Sequence, residues 1–337
     1  MKKLFVILSF ITSAVAFTSI NDELFYVPKN FPQPVYDFTN NPLSKEKIEL
    51  GKLLFYDPIL SKDNTISCSS CHLSYTAFTH TDHDLSHGIE NRIGIRNAPS
   101  LSNLAWGKYF MWDGAVHHLD MQALAPISNH DEMDETINNV VFKLQQSKKY
   151  SRLFYKAFND SLVTGENTLK ALSQFMLTLI SANSKYDKVM QKEAGFVFNE
   201  YELKGYELFK TNCASCHKEP LFTNNEFENN GLDLDAFLKD GGRIKITKNV
   251  DDSLKFKVPS LRNVEVSYPY MHDGRFKNLQ MVLFHYTEGI HQSATLSNQL
   301  KRKIVLSEAD KNNLIAFLKT LTDDEFLQNP KFQPNRY

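Results

Sequence analysis

Two stretches decide how this chain is read: Cys68-Ser-Ser-Cys71-His72 and Cys213-Ala-Ser-Cys216-His217. They are two copies of C-x-x-C-H, and together they use all four cysteines. Two thiols three positions apart can each add to a haem vinyl group, and the adjacent imidazole then reaches the iron from the proximal side. A C-x-x-C pair alone also reads as half of a zinc site or as a redox dithiol. Two copies, each followed at once by His and with no cysteine left over, point to haem attachment. The expectation is two covalently bound haem c groups, on Cys68 and Cys71 and on Cys213 and Cys216, with His72 and His217 as proximal ligands.

Working outward, the motifs belong to a longer duplication. Asn97-Ala-Pro-Ser-Leu-Ser-Asn103 recurs as Lys257-Val-Pro-Ser-Leu-Arg-Asn263, and Met111-Trp112-Asp113-Gly114 recurs as Met271-His272-Asp273-Gly274. Leu119 and Met121 match Leu279 and Met281 at the same offset. The copies differ where the first has Trp112 and Gln122 and the second His272 and Val282. Only the first carries the polar run Ser128-Asn-His-Asp-Glu132, so the halves are expected to divide labour between a reactive and a relay centre.

Helical periodicity marks Ser44 to Tyr56, Asp134 to Gln146, Glu166 to Ala182 and Asn199 to Thr211, the last leading into the second haem motif. Ser307 and Asp310 form a capping pair before a final helix. No long period-two alternation occurs, so the fold class is mainly α, with two tandem cytochrome c-like haem domains. The expected boundaries are 17–185 and 186–337. Residues 1–16 read as a cleaved export signal, with Lys2 and Lys3, a short apolar run and Ala14-Val-Ala16. Retention as an N-terminal anchor is the competing reading. The expected compartment is the periplasm. A formal net charge of -1 gives no reason to propose nucleic acid or an anionic membrane as partner.

With these residues in view, the chain resembles the bacterial di-haem cytochrome c peroxidase family, which includes the MauG-type oxygenases. The resemblance spans nearly the whole mature chain: CSSCH, LSHG, RNAPSL, FMWDG, Gln122 with the following API and Glu132-Met133, then CASCH, VPSLRN and YMHDGRFKNL. It implies reduction of hydrogen peroxide to water by electrons from a small cytochrome c or cupredoxin, and a homodimer. Glu132 matches the distal acid/base and Gln122 its companion; on residue type alone, Glu132 reads first as a solvated loop end. Trp112 matches a relay between the haems, a role compatible with aromatic core packing. His87, in Leu85-Ser-His87-Gly88, matches a switchable loop ligand of the first iron, with His80 and His83 as competitors.

For the sixth ligand of the second iron, the best-known branch places a Met where counting from His272 reaches Tyr286, and MauG-like relatives carry Tyr there. Tyr286 is the favoured ligand, with Met271, Met281 and His285 as alternatives. The family also implies a calcium ion between the domains, held by the Asn97 side chain and the backbone oxygens of Ser267 and Pro269. Two rivals to the peroxidase reading follow: a MauG-like oxidase or oxygenase acting on a protein substrate, and a non-catalytic di-haem electron carrier.

Overall fold

Each half of the chain is built on a pair of helices that cross through a glycine. The computed structural model describes residues 24–334. The export-signal stretch lies outside them. In the first half α1, Lys45–Tyr56, starts at Ser44, whose side chain accepts from Lys47 N at 3.2 Å. It buries Leu50, Leu54 and Phe55. Next come α2, Ile137–Gln146, α3, Lys148–Phe158, and α4, Gly165–Leu177. α1 crosses α4 so closely that a Cβ on Gly51 would lie 1.8 Å from the Ala171 carbonyl O.

The second half repeats the device. α5, Glu200–Asn212, is capped by Asn199 and delivers the chain to Cys213. α6, Leu279–Glu288, follows the second MHDG loop. α7, Glu308–Lys319, opens with the Ser307/Asp310 capping box. A Cβ on Gly205 would lie 1.9 Å from the Asn313 carbonyl O of α7. Among the described residues the strands are limited to β1, Phe227–Glu228, and β2, Phe256–Lys257, paired antiparallel with Phe227 opposite Lys257. The mainly α class is thus the one observed.

Two apolar cores follow from these pairs. Phe55, Phe78, Phe175 and Trp106 belong to the first. Tyr186, Phe209, Phe222 and Phe317 belong to the second. Fully burying one such ring contributes about 1.5–3 kcal/mol, so each cluster stabilises its half substantially. The end of the chain returns to the first core through Phe326, Leu327 and Phe332. Within the second half, buried Arg262 donates through both terminal nitrogens to Asp187 at 2.8 Å each.

Two helices depart from the sequence-based bounds. The second begins at Ile137 and not at Asp134, because Thr136 caps it and Asp134 adopts φ 46. The Asp134 carboxylate is taken by Lys62 and Arg92, and these tertiary partners outweigh helix propensity. The helix expected to reach Ala182 ends at Leu177, because Asn103 claims the backbone beyond it. Its N–H donates to Leu179 O at 2.8 Å, and its side chain exchanges bonds with Ser181 N and O at 3.0 Å each. The helices α3 and α6 were not marked as helices by periodicity.

Candidate haem sites and the crossing between them

The duplication is exact enough in geometry to position both motifs alike. Ser100 Oγ donates to Ala77 O and Ser260 Oγ to Leu221 O, each at 2.7 Å. Asn103 and Asn263 both take φ 60, and Met111 and Met271 take φ 66 and 75. The halves also cross reciprocally: Asn97 N donates to His272 O and Lys257 N to Trp112 O, each at 2.7 Å. Positions matched in the repeat therefore exchange hydrogen bonds across the boundary.

At the first motif, Cys68–Cys71 forms one helical turn ending at His72. His72 Nδ1 lies 2.7 Å from Phe78 O. A carbonyl only accepts, so Nδ1 carries the proton and Nε2 keeps its lone pair for a metal. Burial lowers the His72 pKa to about 4, which keeps the ring neutral. Burial also pushes the thiols up, Cys68 to about 12 and Cys71 to about 11. At the second motif His217 Nδ1 lies 3.2 Å from Phe222 O and 3.1 Å from Pro259 O, fixing the same tautomer. No disulfide joins either pair. Neutral imidazoles with a free Nε2 beside paired protonated thiols fit thioether-linked haem.

A cavity of about 300 Å³ opens beside the second motif. Its wall includes Cys213, Cys216, His217, Tyr286 and Met271 from the second half and Trp112 from the first. The Trp112 indole N–H donates to Asn97 O at 2.8 Å, which pins the ring at the crossing. Asn230 Nδ2 approaches Met271 Sδ at 3.3 Å, and Asn230 also hydrogen-bonds the Tyr286 side chain. Burial pushes the Tyr286 phenol up to about 12. The other two sixth-ligand candidates are placed elsewhere. His285 Nε2 meets Asn230 O at 3.0 Å, and Met281 is 39% exposed; neither lies on the cavity wall.

Near the first motif, Cys71, His87 and Glu132 come together. Cys71 Sγ lies 3.6 Å from His87 O, and Ile89 N donates to Glu132 O at 2.8 Å. Gly88 is pressed against the Glu132 backbone, where a Cβ would meet its carbonyl O at 2.3 Å. Glu132 Oε1 accepts from Asn129 Nδ2 at 3.0 Å. Burial pushes the Glu132 carboxyl up, against the pull of Asn129, and its charge in turn raises Cys71. The His87 ring stacks on His83 at 4.0 Å, and His83 on His80 at 5.0 Å. Gln122 Nε2 points to Met111 Sδ at 3.8 Å, and no hydrogen bond joins Gln122 to Glu132 among the described residues.

Asn97, Ser267 and Pro269 share the cavity wall, and Asn97 Nδ2 donates to Asp84 O at 2.9 Å. Among the described residues no group of three or more His, Cys, Asp or Glu gathers to hold a metal ion. A cation at the crossing would therefore rely on amide and backbone oxygens. Sequence reasoning missed Asn129, Asn230 and Arg96. Arg96 bridges the halves, Nη1 donating to Asp113 Oδ2 at 2.7 Å and Nε to Asp240 Oδ2 at 2.6 Å. The partners of Asn230 and Arg96 are remote in sequence, whereas Asn129 stands three positions before Glu132 in the polar run and was not singled out there.

Comparison with known proteins agrees with this geometry. The di-haem cytochrome c peroxidase family profile matches residues 45–195, and the cytochrome c profile matches residues 203–322. The methylamine utilization protein MauG of Methylorubrum extorquens is 34% identical over 305 residues, covering 87% of this chain and 82% of that protein. The chain belongs to the di-haem cytochrome c peroxidase family. Within this family, the cytochrome c551 peroxidase of Nitrosomonas europaea is 35% identical over 298 residues, covering 87% of this chain and 84% of that protein. A crystal structure of a MauG-like protein associated with microbial copper homeostasis superposes with a TM-score of 0.82 at 34% identity, covering 91% of this chain and 97% of that one. As in other di-haem family members, two cytochrome c-type units carry the haems. Among the described residues no helix is long and apolar enough to cross a membrane.

Proposed function

We propose that this chain reduces hydrogen peroxide to water with electrons taken singly from a small c-type cytochrome or cupredoxin. Peroxide, two protons and two electrons give two waters. The observation that carries the reading is the gathering of Glu132, the His87 loop and Cys71 around the first motif, with Trp112 at the crossing into the second cavity. Haem c, when bound, supplies the redox-active iron of each half.

The chain's own residues would manage the protons and the path. Glu132 holds a proton more readily than an ordinary carboxylate because it is partly withdrawn from water, and it can pass that proton between the peroxide oxygens. Asn129 orients its carboxylate. Gln122 would be the second polar group of the pocket, and His87 would be a switchable loop ligand of the first iron. Trp112, held by its N–H to Asn97 O, would relay electrons between the halves. His72 and His217 would each hold a haem iron, and Tyr286 would supply a further ligand to the second iron, with Met271 on the same wall as its alternative. The haem domains are assigned to 17–185 and 186–337, after an export signal at 1–16 that delivers the protein to the periplasm as a homodimer. A calcium ion held by Asn97, Ser267 and Pro269 would lock the crossing.

Glu132→Gln in the purified holoprotein tests this reading. The variant should keep both haems and lose about 10²–10⁴-fold in peroxide turnover, the usual range for a positioned acid/base. Turnover within threefold of wild type would remove Glu132 from the role. Tyr286 supports a second reading, a MauG-like oxidase acting on a protein substrate. It predicts that peroxide yields a long-lived doubly oxidised form that a reduced cytochrome does not quench. A non-catalytic carrier would show two permanently six-coordinate irons and no turnover.

A further inference from the structure

Among the residues lining the second cavity there is one lysine and no arginine. That lysine, Lys257, stands on β2, with its backbone N donating to Trp112 O at 2.7 Å. Its partner across the strand pair is Phe227, so the register offers it an aromatic ring and not a carboxylate. Among the described residues no ion pair or side-chain hydrogen bond involves the Lys257 ammonium. Burial lowers its pKa to about 8. Glu228, the one carboxylate in the wall, forms no ion pair with it among the described residues.

Lys257 is half-buried on the cavity wall, and an ammonium partly withdrawn from water is ordinarily paired. The backbone crossing does not explain why this position carries a charge. In the first copy the matched position is Asn97, whose N–H makes the same 2.7 Å bond to the opposite half. The repeat therefore keeps the hydrogen bond with a neutral residue, and only the second copy adds an ammonium. The cavity wall also carries neutral polar side chains such as Thr223, Asn225 and Asn230, but none of them is a partner of the Lys257 ammonium among the described residues.

We propose that Lys257 is the counter-charge for a haem propionate in the second cavity, holding that carboxylate beside Trp112. The inference rests on the haem assignment made above. A macrocycle tethered at Cys213 and Cys216 brings its own carboxylates into the cavity those residues line, which supplies the partner that the chain itself does not. The pairing also has a redox consequence. A cation held against the macrocycle favours iron(II) over iron(III), so Lys257 raises the potential of the haem assigned to receive electrons.

The test is a spectroelectrochemical titration of holoprotein carrying Lys257→Met, Lys257→Arg or Lys255→Met, with haem c counted by pyridine haemochrome. Lys255 sits two positions away and pairs with Asp252 at 3.5 Å, so its removal controls for loss of a unit charge. Lys257→Met should retain two haems and shift the reduction equilibrium of the second haem at least tenfold toward the oxidised form, which is 59 mV for one electron. Lys257→Arg should stay within threefold of wild type, and so should Lys255→Met. Should Lys257→Met fail to accumulate, Lys257→Gln is titrated in its place against the same criterion. A two-haem Lys257→Met within twofold of wild type overturns the proposal, as does an equal shift from Lys255→Met. Wild-type protein with fewer than two haems c would instead overturn the haem assignment beneath it.

Discussion

Gly205→Ala sets two physical effects of opposite sign against each other. In an open helix the change adds about 1 kcal/mol of stability, since alanine is the better helix former. At the crossing of α5 with α7, however, the new Cβ would stand 1.9 Å from Asn313 O, 2.6 Å from Asn313 C and 2.8 Å from Phe317 Cβ. Van der Waals contact needs about 3.5 Å, so the helices must part by about 1.6 Å along that line. Two of the three clashing atoms are backbone and cannot rotate away, which places the cost at or above the upper end of the ~1–3 kcal/mol usual for overpacking. The net expectation is destabilisation by about 2 kcal/mol after the propensity gain is subtracted. Because α5 delivers Cys213 to its site, the same displacement should lower haem incorporation at the second motif. Urea unfolding of the holoprotein, followed by far-ultraviolet circular dichroism and Soret absorbance, reads the effect. Gly51→Ala, whose Cβ would lie 1.8 Å from Ala171 O, is its twin in the first core and should behave alike. An increase in stability for either variant would refute the close-crossing argument.

Three further outcomes are expected. Trp112→Phe keeps the ring but loses the N–H bond to Asn97 O, and should slow electron transfer between the haems at least tenfold while leaving both Soret bands, as measured by stopped-flow after one-electron reduction. Tyr286→Met should raise the potential of the second haem, because a thioether favours iron(II) where a phenolate favours iron(III); an unchanged potential would remove Tyr286 from the iron. Arg96→Gln breaks a largely buried bridge between the halves and should cost about 3–5 kcal/mol at pH 7 by chemical denaturation. Burial alone would raise the Asp240 pKa, but the Arg96 guanidinium and the Gly242 N–H hold it well below the usual carboxylate range. A depressed native pKa contributes stability that is present above the unfolded value of about 3.9 and lost as pH falls through the native one, so the gap between wild type and Arg96→Gln should narrow below about pH 4.

The attachment motifs could be read from the sequence because their chemistry is local: two thiols three positions apart and the next imidazole. The same is true of α1, α5 and α7, whose starts carry their own caps in Ser44, Asn199 and Ser307. α2 and α4 were misjudged at one end each, where Asp134 and Asn103 meet partners more than forty residues away. The short helices that begin at Leu119 and Leu279 illustrate the intermediate case, since the repeat flagged them as equivalent positions without giving their length.

Residue order and the family resemblance favoured Tyr286 over Met271, Met281 and His285, but all four lie within one short span of chain, so order could not say which of them face one cavity. Folding separates them: Tyr286 and Met271 reach the cavity wall, whereas His285 turns to Asn230 O and Met281 toward solvent. The meeting of Trp112 with the second cavity, the Arg96 bridge and the unpaired state of Lys257 likewise exist only once the halves have crossed. Covalent attachment and capping depend on neighbours a few bonds away and are written into the order of residues. Burial, ligand choice and charge pairing depend on which distant groups exclude water together, and that is a property of the packed chain.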